Sequence, residues 1–292
     1  MATIREQRLE LAGYGTRALR LDPGSAPVGP PMLLLHGFSD SADTWRPVLA
    51  QLSRHRRSAL AVDLPGFGQA DRLDRDKPVL PQLDRFVAAA TRHASERAGG
   101  RVVVLSGNSL GGLAAMRAAE DSRLPLGGIV PVAPAGLDMA GWIAIVEGAP
   151  LIRMIMRAPV PLPELAVRGA VGRVYRMLAF ARPGDADPAV VSAFTRHVRT
   201  RRDVVRVAAT ARRLRPEIQQ PFRLERIACP VLVVWGDRDR MVFHNGAERI
   251  LAEVDGARLE LIDDCGHCPQ VECPERLADL LREFPGVLAE AA

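Results

Sequence analysis

Short runs of Val, Leu and Ile recur along the chain, separated by longer segments in which apolar residues return every three or four positions. Runs at 32–35, 58–62, 102–106, 128–132, 231–235 and 258–262 predict strands, and 8–21 predicts an antiparallel pair ahead of them. Most of these runs are continuously apolar rather than alternating, as strands covered by helices on both faces are. Helical period fills 42–52, 80–97, 110–120, 246–253 and 274–284, and no internal repeat is present. Strands alternating with helices predict an α/β fold with a mostly parallel central sheet.

The alternation stops at Pro134. From there to the strand at 231 the chain carries Trp142, Met154, Met156, Met177, Phe180 and Phe194 among many arginines, with a helical rhythm at 188–214. This predicts a helical insertion after the sixth strand, dividing the chain into a first core segment (1–136), an inserted segment (137–222) and a second core segment (223–292). The window from Trp142 to Met156 is more apolar than a solvated connector requires. Part of it is expected to pack on the sheet and the rest to line a pocket, where unbranched methionines adapt to variable apolar shapes. Trp142, Met154 and Met156, with Phe243 beyond the next strand, are therefore the substrate-binding candidates. Arg153 and Arg157 fit an anionic substrate or a solvent-facing helix equally well.

The sharpest chemical signal follows the strand at 102–106. Gly107-Asn-Ser-Leu-Gly111 lies between a β-rich run and an alanine-rich helix former, the strand–turn–helix context that gives G-x-S-x-G its meaning. The two glycines permit a sharp turn that lifts Ser109 above the sheet. A serine hydroxyl is a poor nucleophile at neutral pH, so the reading requires a base and an acid elsewhere. Both follow late strands: Gly236-Asp-Arg-Asp239 after 231–235, and Asp263-Asp-Cys-Gly-His267 after 258–262. Loops at the carboxyl ends of strands converge in open α/β sheets, so Ser109, an aspartate and His267 can meet. Asp237 competes with Asp239 for the acid, and Asp138 is a more remote alternative.

With these residues identified, the chain resembles the α/β-hydrolase superfamily. The resemblance rests on Leu33-Leu-Leu-His-Gly-Phe38, Asp63-Leu-Pro-Gly-Phe-Gly68, Gly107-Asn-Ser-Leu-Gly-Gly112, Trp235-Gly-Asp-Arg-Asp239 and Gly266-His267. It implies a nucleophile at Ser109, a base at His267, an acid at Asp239 and an insertion acting as a lid. It also implies an oxyanion hole from the peptide N–H groups of Phe38 and Leu110. Leu110 has independent support, since the first residue of a helix has an N–H that no helical turn uses. His36 is expected to order the oxyanion loop and Asp63 to brace its turn. The implied activity is cofactor-free hydrolysis of carboxylic esters of apolar, medium-sized substrates. Carbon–carbon bond hydrolysis of the meta-cleavage type and ligand binding without turnover are the rivals. Cys268 after Gly266-His267 and the absence of a proline after Asp239 depart from the usual pattern.

Composition narrows the alternatives. The chain has 292 residues, 48% hydrophobic and 25% charged, enough for one large domain with an insertion. The net charge is +5, but Lys77 is the single lysine and the arginines are spread throughout, so no nucleic-acid partner is expected. Arg75-Asp-Lys77 is not a phosphate-binding Gly-Lys-Ser/Thr loop, and Gly66-Phe-Gly-Gln-Ala-Asp71 ends on an acid where a dinucleotide fingerprint needs glycine. Cys265-Gly-His-Cys268 has thiol-oxidoreductase spacing but follows the last strand rather than an early one. Adjacent His267 and Cys268 suit one tetrahedral zinc poorly, so no metal or cofactor is expected. Charged residues at 5, 6, 8 and 10 argue against a secretory signal, and broken apolar runs argue against a membrane span. A cytoplasmic location follows, and a homo-oligomer is allowed.

Overall fold

A computed structural model describes residues 2–138 and 163–290, the last six of these by main chain alone. The eight strands are β1 (Thr3–Leu11), β2 (Tyr14–Asp22), β3 (Met32–Leu35), β4 (Ala59–Val62), β5 (Val103–Asn108), β6 (Leu126–Val132), β7 (Leu232–Gly236) and β8 (Arg258–Ile262). They form one sheet in the order β1-β2-β4-β3-β5-β6-β7-β8. β1 and β2 pair antiparallel through Ala12 and Gly13, both at positive φ, which is the geometry of a two-residue hairpin turn. β2 also runs antiparallel to β4, and every later neighbour is parallel. The expected pair at 8–21 thus extends in both directions, and the other strands stand within two residues of their predicted bounds.

Both faces of the sheet are covered. Leu33, Leu35, Val103, Leu105, Val233 and Trp235 point into one apolar layer, packed against α2 (Val79–Arg97) and α3 (Leu110–Ala119). Met32, Leu34, Val104, Leu232 and Val234 point into the opposite layer with α1 (Arg46–Ser53) and the long C-terminal helix. Period-two alternation within continuously apolar strands thus sends side chains into two separate cores.

After β6 the described chain resumes in three helices, α4 (Glu164–Ala179), α5 (Pro188–Thr195) and α6 (Arg201–Glu217). The rhythm read as one helical stretch at 188–214 is therefore two helices. The break at 196–200 ends in a capping box, with the Thr200 hydroxyl accepting from Asp203 N–H and the Asp203 carboxylate accepting from Thr200 N–H. The insert is tied to the core at two places. Glu217 accepts the N–H groups of Val79 and Leu80 at 2.7 and 2.8 Å, where a carboxylate meets the positive end of α2. At the end of α4, Ala179 O accepts from His267 N–H at 2.8 Å. The chain closes with α7 (Ala247–Glu253), α8 (Pro269–Glu272) and α9 (Pro274–Glu290). Among the described residues no helix is long and apolar enough to cross a membrane.

Strand order reverses between β3 and β5, because β4 lies outward on one side and β6 on the other. Open α/β sheets have their binding crevice at such a switch point, beyond the carboxyl ends of the strands. Leu35 of β3 pairs with Gly107 of β5, so the segments beginning at His36 and at Asn108 leave the sheet side by side.

Candidate active site

Ser109 links β5 to α3 at φ 53° and ψ −111°, a left-handed conformation costly for a residue with a β-carbon. The glycines around it have a steric cause. A β-carbon at Gly107 would stand 2.3 Å from the Gly111 carbonyl carbon, and one at Gly111 would stand 2.4 Å from Leu35 O. Gly112 is similarly confined by Gly107 O and Pro134. Close approach of β3, β5 and α3 thus dictates the glycine pattern, with Ser109 at the apex, partly exposed to a cavity.

The β7 and β8 loops bring the other two candidates together. His267 Nδ1 lies 2.7 Å from Asp239 Oδ2, both residues being buried. Asp239 is held rigidly: Oδ1 accepts from Met241 and Val242 N–H at 2.7 and 3.1 Å, and Oδ2 also accepts from the Trp235 indole at 3.2 Å. With Asp239 Oδ2 as the hydrogen-bond acceptor, Nδ1 carries the imidazole proton and Nε2 is left as the acceptor. Nε2 is buried and makes no hydrogen bond. Asp237 is exposed and accepts Cys265 N–H at 3.2 Å, whereas Asp138 offers its carbonyl to Phe243 N–H. Neither carboxylate meets His267 among the contacts of the described residues.

His36 and Asp63 brace the loop after β3. Leu64 N–H donates to His36 Nε2 at 2.8 Å, so His36 Nδ1–H donates to Gly37 O at 2.7 Å. Burial pushes the His36 pKa down to about 4, keeping that tautomer neutral. Because a peptide's C=O and N–H point opposite ways, anchoring Gly37 O directs the Phe38 N–H to the other side of the plane. Asp63 accepts from Arg17 Nε at 3.0 Å, Ala42 N–H at 2.7 Å and Gln69 N–H at 2.8 Å, tying three segments to the loop. Burial opposes the Arg17 charge, yet its bonds to Asp43 and Asp63 raise its pKa overall.

Ser109, His267 and the Gly37–Asp40 loop open onto one cavity of about 160 Å³. Its far wall is supplied by the insert, chiefly Val171, Val174 and Leu178 of α4 and Val204, Val207 and Ala208 of α6. Tyr175 and Phe194 stack across it with ring centroids 3.7 Å apart. Trp142, Met154 and Met156 lie outside the described residues, as do Arg153 and Arg157. Phe243 is 42% exposed and is not in the described cavity wall; Met241 takes that place. Phe243 follows the turn that holds Asp239, and its N–H is drawn to Asp138 O, away from the site.

Several participants were not singled out from the sequence. Asn108 donates to His267 O at 2.8 Å and accepts from Gln270 Nε2 at 3.1 Å. Glu272 accepts from Gly266 and Ala181 N–H at 3.0 and 2.8 Å, clamping the histidine loop to the insert. Asp40 is buried on the cavity wall, accepting Ser41 N–H at 2.8 Å. Burial, reinforced by Asp63 and Asp43, pushes its pKa up to about 7. Contacts between distant segments create all three roles, so only Asn108, inside the Gly-Asn-Ser motif, had a local signal. The thiols do not act as a pair in the C-x-x-C sense: Cys265 interacts electrostatically with Cys273, whereas Cys268 faces Tyr175 and Asn108. All four cysteines are free, and no metal-binding group of three or more His, Cys, Asp or Glu occurs among the described residues.

An eight-stranded, mostly parallel sheet with a serine at a strained strand–helix turn and a late Asp–His pair defines the class of fold. The sequence model of the Alpha/beta hydrolase family matches residues 32–280, and the chain belongs to that family. It is 28% identical over 284 residues to an uncharacterised protein of Mycobacterium tuberculosis, covering 93% of this chain and 78% of the relative. It is 25% identical over 261 residues to a monoacylglycerol lipase of Xenopus laevis, covering 87% and 74%. The 2-hydroxy-6-oxo-6-phenylhexa-2,4-dienoate hydrolase of Rhodococcus sp. strain RHA1 superposes with a TM-score of 0.72 at 20% identity, over 97% of this chain and 99% of that one. The chain is thus a hydrolase-family protein.

Proposed function

We propose that the protein is a serine hydrolase that cleaves carboxylic esters of apolar, medium-sized substrates through an acyl-enzyme on Ser109. The observation that carries this reading is His267, with Nδ1 on a buried aspartate and Nε2 unbonded, beside Ser109 in a cavity with aliphatic walls. His267 Nε2 takes the Ser109 proton as Oγ attacks the ester carbonyl carbon, and Asp239 stabilises the resulting imidazolium. The oxyanion is held by the N–H groups of Phe38 and Leu110, each lowering the barrier by about 2.7 to 4 kcal/mol in comparable sites. His267 then gives its proton to the departing alcohol, and water activated by the same imidazole releases the acid. Residues 137–222 serve as the lid over 1–136 and 223–292, with Val171, Val174 and Leu178 in the apolar wall. The four free cysteines suit a reducing cytoplasm, and a monoacylglycerol lipase among the relatives supports an ester with an apolar acyl chain.

A fluorophosphonate probe, followed by turnover of acetyl, butyryl, hexanoyl and octanoyl esters beside a dienone, tests the reading. We expect labelling at Ser109 and the best kcat/KM at a medium acyl length. Faster cleavage of the dienone than of every ester assigns carbon–carbon hydrolysis instead. Absence of labelling and turnover leaves a ligand-binding protein.

A further inference from the structure

We propose that Asp40 determines specificity: its carboxyl accepts a hydrogen bond from a hydroxyl on the substrate and rejects substrates that bring a carboxylate to the same part of the cavity. This deepens, and rests on, the reading of Ser109 as an ester-cleaving nucleophile. Asp40 stands two residues beyond Phe38 on the loop leaving β3, in the wall shared with Ser109 and His267. Ser41 N–H donates to its Oδ1 at 2.8 Å. A carboxylate offers about four acceptor positions, so capacity for another donor remains.

The surroundings sharpen the selection. The opposite wall is aliphatic, and the described lining contains no lysine or arginine. The insert's Arg199 and Arg206 are engaged with Glu164 and Asp203. The groups acting on Asp40 are Tyr175 from α4, Cys268 from the histidine loop, and Asp43 and Asp63 from the core. Of these, Asp43 and Asp63 are bonded to Arg17. A substrate carboxylate in this corner meets a like charge with no lysine or arginine in the described lining to offset it, whereas a hydroxyl finds an acceptor. Discrimination against carboxylates is expected to strengthen as pH rises through about 7, where Asp40 ionises.

Three esters of one length, ending in methyl, hydroxyl or carboxylate, test the proposal, with the end group placed on the alcohol side in one set and the acyl side in another. In at least one set the wild type is expected to prefer hydroxyl over methyl by about tenfold in kcat/KM and to cleave the carboxylate ester slowest. Asp40→Asn should raise the carboxylate-to-methyl ratio about tenfold at pH 8 and little at pH 5.5. His267 titration cancels in this ratio, because every substrate uses the same base. Asp40→Leu should abolish the hydroxyl preference, with methyl-ester turnover reporting that the variant is folded. Equal changes for all three esters, or wild-type cleavage of the carboxylate ester as fast as the methyl ester in both sets, overturn the role of Asp40 alone. No turnover of any ester by the wild type overturns the ester-hydrolase reading, and this proposal with it.

Discussion

Asn108 and His267, 159 positions apart, are joined by a 2.8 Å bond from the asparagine side-chain amide to the histidine main-chain carbonyl. The residue before Ser109 thereby sets the height of the loop carrying His267. Gln270 holds the other side of the same amide, and its Nε2 also reaches the Thr44 hydroxyl at 3.3 Å. Asn108→Ala removes the tie and strands Gln270, at a cost of about 1–3 kcal/mol. Asn108→Asp turns the donor into an acceptor facing a carbonyl, which is worse for alignment. Activity is expected to fall from wild type to Ala to Asp, in kcat more than in KM. Equal kcat in all three would show that the bond does not position the base.

The Asp239–His267 contact at 2.7 Å makes an ordered set of mutants informative. Ser109→Ala and His267→Ala are expected to abolish turnover to similar extents, and the double mutant to be no worse, as members of one unit are non-additive. Asp239→Asn should lower kcat on the order of ten-thousandfold by favouring the wrong tautomer. Asp237→Asn, which touches only Cys265 N–H among its described bonds, should be far milder. Steady-state kinetics of the five variants decide the matter, and the reverse ranking of the two aspartates moves the acid to Asp237.

Much of this arrangement is written locally. β3 begins and ends at its predicted residues because a continuous aliphatic run after Pro31 leaves little else to form, and β8 does so as an edge strand in which Arg258 and Glu260 alternate with Leu259 and Leu261. Ser109 and His267 were legible because each follows a strand, whereas only the family resemblance separated Asp239 from Asp237. The split at 196–200 was missed because the helical period continues through it, although Thr200 and Asp203 have capping-box spacing. Asp40 was illegible for a different reason. Its burial comes from contacts with Tyr175 and Cys268, and no pattern within its own loop encodes them.

Asp40 also predicts how stability depends on pH. Its carboxyl titrates near 3.8 when unperturbed and near 7 when folded, so the native state binds more protons between those values. Its contribution is fully present below pH 3.8 and is lost as pH rises through 7, a change of about 4 kcal/mol at most. Asp40→Asn never ionises. The Tm of Asp40→Asn relative to wild type is therefore expected to increase from pH 5 to pH 8, as read by thermal melts in matched buffers. A difference that stays flat across this range would rule out a buried, titrating Asp40.

The aliphatic wall predicts a length limit that can be moved. Each additional methylene buried against Val171, Val174, Leu178 or Val207 should improve kcat/KM by about 0.8 kcal/mol, or roughly fourfold, until the cavity is full. Ala208 and Ala211 of α6 face the same space with minimal side chains. Ala208→Phe occupies volume that a longer acyl chain needs while leaving Ser109, His267 and Asp239 untouched. The optimum acyl length should shorten by about two to three carbons, with acetyl-ester turnover retained, because an aromatic side chain displaces several methylenes of substrate. Comparing acetyl through octanoyl esters on both proteins provides the measurement. An unchanged optimum would place the acyl chain elsewhere, and equal loss at every length would mean that the substitution distorts α6 instead of filling the cavity.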